Sequence, residues 1–448
     1  MSGLLRRHPD FRLLWCGEVA GKFGAAVSGV ALPLVAVTTL HADAFAVGLL
    51  GACTWLPWLL IGLPVGVWVD RVRRRPLMLA AASLSLLLFA GVPLLARSGG
   101  LGLGPLLAVA LLAGAAAVLF QTAYSAYLPT LLTPPDQPEG NAKLHGSASA
   151  AQIAGRGAGG LAVQWAGAAN GLSVNAATFL LSLLCLLGIR HREPHPAAKE
   201  RETGQGRGPV DGPPEIRVPR SLFAEIAEGL RLVAGDTWLR TLTLFGAASN
   251  LALMGYQSLV TVFLVREVGL SPGAVGGLLA LAGTGGVAGA FAGRRIAARF
   301  GTARATLLCE LVLPAAALLI PLSTDGAGVL LFVAGSFCVS AGVVAGNTVK
   351  AGFQQRYCPP ALLGRLTAST SFVNYGTLPF GALLGGALGS ALGLRTAMWI
   401  MTAGVPLAAL ILVFSPVRKV RDLPLTRSEG GWHTASGGRT DASPLPGS

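Results

Sequence analysis

The chain has 448 residues, 52% of them hydrophobic and only 12% charged. Soluble domains carry about 25% charged residues, so the composition excludes a water-soluble globular protein, and a mean hydropathy of +0.62 places the chain in a lipid bilayer. The formal net charge of +14 is spread along the whole length and not gathered on one folded surface, which excludes a nucleic-acid binder.

The opening segment, MSGLLRRHPDFRLLW, has no short apolar stretch with a cleavage site, and residues 1–11 read as a retained cytoplasmic end. A hydrocarbon core of about 30 Å needs roughly 20 mostly apolar residues per crossing. Twelve such windows follow: 12–38, 45–69, 76–96, 103–124, 147–168 and 170–189, then 239–264, 272–292, 305–323, 327–348, 366–389 and 395–415. The predicted fold class is therefore all-α and integral to the membrane, with twelve transmembrane helices in two six-helix bundles, 12–190 and 239–416. The 61 glycines and 28 prolines fit this setting, since both residues are tolerated inside transmembrane helices. Between the bundles, residues 191–238 form a polar cytoplasmic linker. It ends in an amphipathic helix that sets Leu222, Ile226, Leu230 and Val233 on one face, against the inner membrane surface. Residues 417–448 read as a disordered cytoplasmic tail. The six cysteines lie in or beside apolar segments with no CxxC pair, which predicts neither a disulfide framework nor a zinc site.

Short cytoplasmic connections are enriched in Lys and Arg. With the N-terminus inside, 29 of the 34 basic residues fall on cytoplasmic segments and three, Arg97, Arg266 and Arg395, on outer loops. Both termini are thereby predicted to be cytoplasmic. The two remaining basic residues, Lys22 and Arg156, fall inside spans.

Ionisable groups inside a span are costly, at about 2.5 to 3.5 kcal/mol each on insertion scales, and face a cavity or a partner. Glu18 and Lys22 stand four apart on one helical face, where they can pair. At 1.5 Å per residue, Lys22 lies about 15 Å beyond Arg12, near the middle of the membrane. Arg156 stands about 14 Å into its span and Glu310 about 8 Å into its own by the same measure. Two basic groups at similar depth suit an anionic cargo, or else each snorkels or pairs with Glu18. The carboxyls of Glu18 and Glu310 are candidates for carrying protons, with a structural ion pair as the alternative for each. Asn250, Gln257, Asn374 and Tyr375 are candidate cavity donors, together with Tyr124, Asn175 and Asn347, while Trp55, Phe245 and Phe372 offer apolar surface. Each can equally serve helix packing.

The connection VDRVRRRPL, residues 69–77, packs four arginines and an aspartate between two apolar runs. Charge bias alone does not require the aspartate. Gly66, Asp70, Arg71, Arg74 and Arg75 at this place resemble the cytoplasmic signature between the second and third helices of the major facilitator superfamily. From about residue 10 to 416 the chain is similar to the bacterial drug-efflux and siderophore-export branch of that superfamily, also through FRLLWCGEVAGKFG, YSAYLPTLL, FQQRYCPPALLGR and LPFGALLGGALGSALGLR. The resemblance implies that Asp70, Arg71, Arg74 and Arg75 act in a cytoplasmic gate, contacting helix ends and each other while the cavity faces outward. A solvated positive-inside turn is the plainer reading of the same residues. Two positions depart from the pattern: Arg73 replaces a usual glycine, and Arg156 replaces the proline of a Gly-Pro pair associated with proton exchange. The matching connection of the second half, AGRRIAARFGTARA, repeats the arginines and lacks an acid.

No GxxxxGK[ST], HExxH or GxSxG pattern occurs, so neither ATP-driven transport nor a membrane enzyme is indicated. The resemblance implies a secondary active exporter of a small organic molecule, amphipathic or anionic, coupled to protons and working by alternating access. A monomer in the bacterial inner membrane is expected, with protons and the lipid bilayer as further partners and no cofactor or metal. A solute importer or facilitator is one alternative, and a non-transporting scaffold or sensor with a transporter-like fold is another.

Overall fold

The structure, a computed structural model, describes residues 3–191 and 222–424. These two stretches are the first and second halves below. After a short turn at Leu4–Arg7, the first half contains α1 (Pro9–Leu34, continued by a π-helical turn to Thr39), α2 (Ala44–Leu60), α3 (Gly62–Arg71), α4 (Arg74–Arg97), α5 (Leu103–Leu131), α6 (Gln137–Ala166) and α7 (Ala168–Gly188). The second half contains α8 (Leu222–Gly235), α9 (Thr237–Arg266), α10 (Pro272–Phe300), the irregular α11 (Thr302–Leu322), α12 (Val329–Tyr357), α13 (Pro360–Leu392) and α14 (Leu394–Val413).

Side-chain caps start several helices. Asp43 accepts from the Ala46 N–H before α2, and Asp236 accepts from Trp238 and Leu239 at 2.9 and 3.0 Å before α9. Each satisfies first-turn donors that have no intrahelical partner. Single glycines in the left-handed region, Gly167 and Gly393, join α6 to α7 and α13 to α14 at matching places in the two halves.

Among the described residues, nine helices are long and apolar enough to cross a membrane. Three of the twelve expected spans, 45–69, 147–168 and 366–389, answer to helices outside that set, so apolar length alone supports fewer crossings than the sequence windows predict. Expected span 45–69 is broken at Ile61, because Pro64 has no N–H to give to the Leu60 carbonyl. The other two are long helices, α6 and α13, whose surfaces are shared with protein. Indeed α2 packs on α13 and α6 packs on α10, each pair joining one half to the other. A helix turned toward protein needs fewer lipid-facing apolar side chains.

Those two junctions are backbone contacts. A Cβ on Gly48 of α2 would stand 2.6 Å from the Ala382 carbonyl oxygen and 2.8 Å from the Gly386 Cα, and one on Gly160 of α6 would stand 2.6 Å from the Gly276 Cα. Polar contacts join the same end: Arg266 donates to the Ala42 carbonyl at 2.8 Å, and the Phe45 N–H donates to the Ser390 hydroxyl at 2.9 Å. The buried clusters follow this division. Val262 of the second half is buried among Leu34, Ala46, Val92 and Leu172 of the first, and Ala44 of the first among Leu259, Phe263 and Val275 of the second. At the opposite end, where the described chain begins and closes, each half keeps its own core. One contains Leu4, Phe11, Met78, Tyr127 and Ile189, and the other Leu239, Phe353, Leu366, Leu412 and Leu423. The halves are thus joined at the far end and separate at the terminal end.

Two expectations about the connecting segments change. The amphipathic helix is α8, and it packs on α13 and α9 as well as carrying an apolar face. Val233 is buried, and Glu228 pairs with Arg365 of α13 at 2.7 Å. The side chains of Leu222 and Ile226, like residues 192–221, lie outside the described residues. The tail expected to be free from 417 is bound as far as Leu423, with Val417 fully buried, and residues 425–448 lie outside the described residues.

A side chain at a far-end crossing overpacks it, at a cost of about 1–3 kcal/mol. Gly48→Val and Gly160→Val should each lower the melting temperature of the detergent-purified protein, whereas Gly21→Ala, where a Cβ meets nothing within 4 Å, should not. Equal melting of all three would show that the crossings are not close-packed.

Candidate functional site

Between the halves, a cavity of about 760 Å³ opens at the terminal end. The first half contributes Trp58 and Gly62 from the α2–α3 break and Thr122 and Ser125 from α5. One face of α13 lines the other side, with Gly364, Thr367, Ser371 and Tyr375 recurring every three or four residues. The Tyr375 ring stacks on Trp55 with centroids 6.4 Å apart and meets Trp58 at 5.6 Å, so an aromatic platform crosses from α13 to α2. No charged side chain lines the cavity among the described residues. Its chemistry is ring faces and hydroxyl groups, which suits an apolar body carrying a few hydrogen-bonding groups. Gly62 and Gly66 on α3 and Gly364 on α13 face open space, for a Cβ on any of them would meet nothing within 4 Å.

The intramembrane charges form one pair in each half. Glu18 of α1 is 6% exposed and lies 3.3 Å from Lys22, whose ammonium also donates to Gln121 of α5 at 2.8 Å. Glu310, 3% exposed, sits in the π-helical turn Leu308–Val312 of α11 and lies 2.7 Å from Lys350 of α12. The Lys350 ammonium also stands 4.9 Å from the centre of the Phe245 ring, a cation–π contact. Arg156 lies at the junction of the halves instead of beside Glu18. One guanidinium nitrogen is 2.9 Å from where a Cβ of Gly283 on α10 would be.

The arginine connection joins elements within the first half. Arg75 donates to the carbonyls of Leu186 and Leu187 at 3.1 and 2.9 Å. A guanidinium there meets the last-turn carbonyls and the negative end of the α7 dipole. Arg73 has the extended backbone that precedes α4, Arg74 opens that helix half-buried, and Arg71 is exposed. Asp70 stands at the penultimate position of α3, and its side chain lies outside the described ones. In the connection between α5 and α6, the Asp136 carboxyl is held below the usual range, chiefly by the Thr133 hydroxyl at 2.8 Å, with His8 and Arg7 adding to the effect.

Of the remaining candidates, Asn250 donates to the Asn374 backbone carbonyl at 3.3 Å and so ties α9 to α13. The Asn374 side-chain oxygen is buried with no donor among the described residues. Gln257 is exposed, Asn175 is fully buried against Ser28, and Phe245 belongs to the core under Lys350. Sequence reasoning passed over Gln121, Trp58, Thr122, Ser125 and the α13 hydroxyls. Their helical spacing, 121–122–125 and 364–367–371–375, was a usable signal. Lys350 lies two residues beyond the expected span 327–348, and the extension of α12 to Tyr357 places it inside a helix as the partner of Glu310.

Comparison with known proteins agrees with this architecture. The model of the Major Facilitator Superfamily matches residues 14–378 and 244–442. The chain is 26% identical over 430 residues to the multidrug efflux pump Tap of Mycolicibacterium fortuitum, covering 94% of this chain and 98% of the relative. Among solved structures, the nucleoside transporter NupG superposes with a TM-score of 0.68 at 12% identity, covering 90% and 98% of the two chains. A bacterial homologue of the iron transporter ferroportin in an inward-facing state also gives 0.68, at 15% identity over 92% and 99%. At these identities the structures establish the fold alone.

Removing one partner of a buried pair leaves the other charge uncompensated, at a cost of about 3–5 kcal/mol. Glu310→Gln should therefore lower the melting temperature markedly, and adding Lys350→Met should recover much of the loss. A double variant as unstable as the sum of the two single variants would show that the pair is not coupled.

Proposed function

The chain belongs to the major facilitator superfamily, and from its cavity between two separable halves we propose that it is a proton-coupled exporter of small amphipathic organic molecules. Secondary active transport across the membrane follows from the family; cargo, direction and coupling are the proposal. The observation that carries it is the combination of far-end backbone contacts with a cavity open at the terminal end, which is the form of one state of an alternating-access cycle. We take the fold as twelve spans in two bundles, 12–190 and 239–416, with both termini cytoplasmic. The basic residues on the terminal-end connections support that orientation. The cavity then faces the cytoplasm, where an exporter loads. Efflux rather than uptake is favoured by the relatives, which are multidrug efflux pumps.

Cargo would rest its apolar body on Tyr375, Trp58 and Phe372, with Trp55 stacked behind Tyr375, and meet hydroxyls from Thr122, Ser125, Thr367 and Ser371. This uncharged lining favours an amphipathic cargo over an anionic one. Lys22, half of the case for an anion, is satisfied by Glu18 and Gln121. To reach the other state, α3 and α13 approach across the open faces of Gly62, Gly66 and Gly364. The Asp70, Arg71, Arg74 and Arg75 connection then closes as the gate. Protonation of Glu18 or Glu310 releases its lysine and so ties the cycle to the proton gradient. Each pair lies within one half, so its change alters that half's own packing.

Flux of fluorescent amphipathic compounds into proteoliposomes under an imposed pH gradient tests the reading. Wild type should accumulate compound only with the gradient. Tyr375→Ala should raise KM several-fold, since an aromatic contact is worth about 0.5–1.5 kcal/mol, and Asp70→Asn should lower the maximal rate with KM unchanged. Flux indifferent to the gradient would contradict coupling, and unchanged KM in Tyr375→Ala would remove the aromatic platform from the cargo site.

A further inference from the structure

The second arginine connection has no acid of its own, for no Asp or Glu occurs between Glu267 and Glu310. The folded chain brings one from elsewhere. Asp422, in the segment after α14, accepts from the Thr302 N–H at 2.8 Å and lies 3.3 Å from the Thr302 hydroxyl. Around it, the Ala303 N–H donates to the Arg421 carbonyl at 3.1 Å, and the Leu423 N–H donates to the Thr302 hydroxyl oxygen at 2.8 Å. The first donors of α11 are thus satisfied by residues about 120 positions away. Those groups have no intrahelical acceptor, and a carboxylate among them meets the positive end of the helix dipole.

The segment is held on both sides of these bonds. Val417 in the turn Pro416–Lys419 is fully buried, and Leu423 is 4% exposed in the core that also contains Ala303, Tyr357 and Leu412. Gly301 has φ +87°, and a Cβ there would collide with the Arg421 carbonyl oxygen. The first half makes the same join with the opposite sign. There the connection after α3 is tied to the end of α7 by Arg75, a cation on C-terminal carbonyls. In the second half the connection after α10 is tied to the segment after α14 by Asp422, an anion on N-terminal N–H groups. Both joins link the arginine connection of a half to the end of that half's last long helix.

We propose that Asp422 is a positioning residue for the gate. The C-terminal segment lends it to the α10–α11 connection, and it holds Arg294, Arg295, Arg299 and Arg304 in register with α14 as the terminal end closes. This rests on the transport reading above, because closure matters only in a transport cycle. Two substitutions release the join by different routes: Asp422→Ala removes the acceptor, and Gly301→Ala excludes the Arg421 carbonyl.

In the full-length protein, amide hydrogen exchange at Thr302, Ala303 and Arg304 and proteoliposome transport are measured on each variant. Both should exchange these amides about tenfold faster and lose maximal transport rate several-fold with KM unchanged. Asp422→Asn keeps an acceptor oxygen and should retain wild-type exchange and rate. Unchanged exchange in Asp422→Ala overturns the join. Fast exchange with a wild-type rate reduces the segment to a structural strap and overturns the positioning role, as does a slow Asp422→Asn whose amides remain protected. A wild type that transports nothing defeats the transport reading, and the exchange data still decide whether Asp422 anchors the connection.

Discussion

Backbone approach between the halves at the far end is the constraint on which the arrangement depends. In lipid there is little hydrophobic drive to bring one helix against another, and association rests on packing and hydrogen bonds. Glycines at 48, 160, 276 and 386 let α2 meet α13 and α6 meet α10 without intervening side chains. Those crossings bring Val262 and Ala44 into the opposite half's core. At the terminal end the corresponding glycines, Gly62, Gly66 and Gly364, stand free. One pair of helices, α2–α3 and α13, therefore carries a close crossing at one end and the unfilled faces for another at the other end.

Buried charge is arranged so that it does not oppose this movement. The Glu18–Lys22 and Glu310–Lys350 pairs each lie within one half, and Gln121 and Phe245 complete them from the same half. Rocking one half against the other need not separate an ion pair in low dielectric, which would be expensive. The side-chain hydrogen bonds that cross among the described residues, from Arg266 to Ala42, from Phe45 to Ser390 and from Ser390 to Asp43, sit at the far end, within reach of water once that end opens. Arg156 is the exception, a cation at the junction beside Gly283.

Much of this was legible in the sequence, because insertion in a bilayer demands long apolar windows, and nine of them recur as helices, three of which run on past the expected window at the terminal end, to Leu131, Phe300 and Tyr357. Glu18 and Lys22 were legible as a pair for a local reason, their spacing of four. Glu310 was legible only as a buried acid, since its partner is 40 residues away and local spacing carries no such information. The cavity face of α13 followed a helical period, yet its hydroxyls read equally as packing groups until Trp55 and Trp58 were brought against Tyr375. Expected spans 45–69, 147–168 and 366–389 were the least secure for a related reason: helices that face protein lose the apolar excess by which a span is recognised. The bound segment 416–423 carried no sequence signal, as Asp422 finds its donors only through the fold.

The most direct test of alternating access is the simultaneous measurement of distance across both ends. Spin labels on α3 and α13 near Arg71 and Leu363, and in a second sample near Ala44 and Ser390, would be compared with and without a transported compound and a pH gradient. Opposed changes, the terminal-end distance shortening as the far-end distance lengthens, are the predicted result. Two distances that stay fixed while the protein transports would contradict an account built on two halves pivoting about glycine crossings.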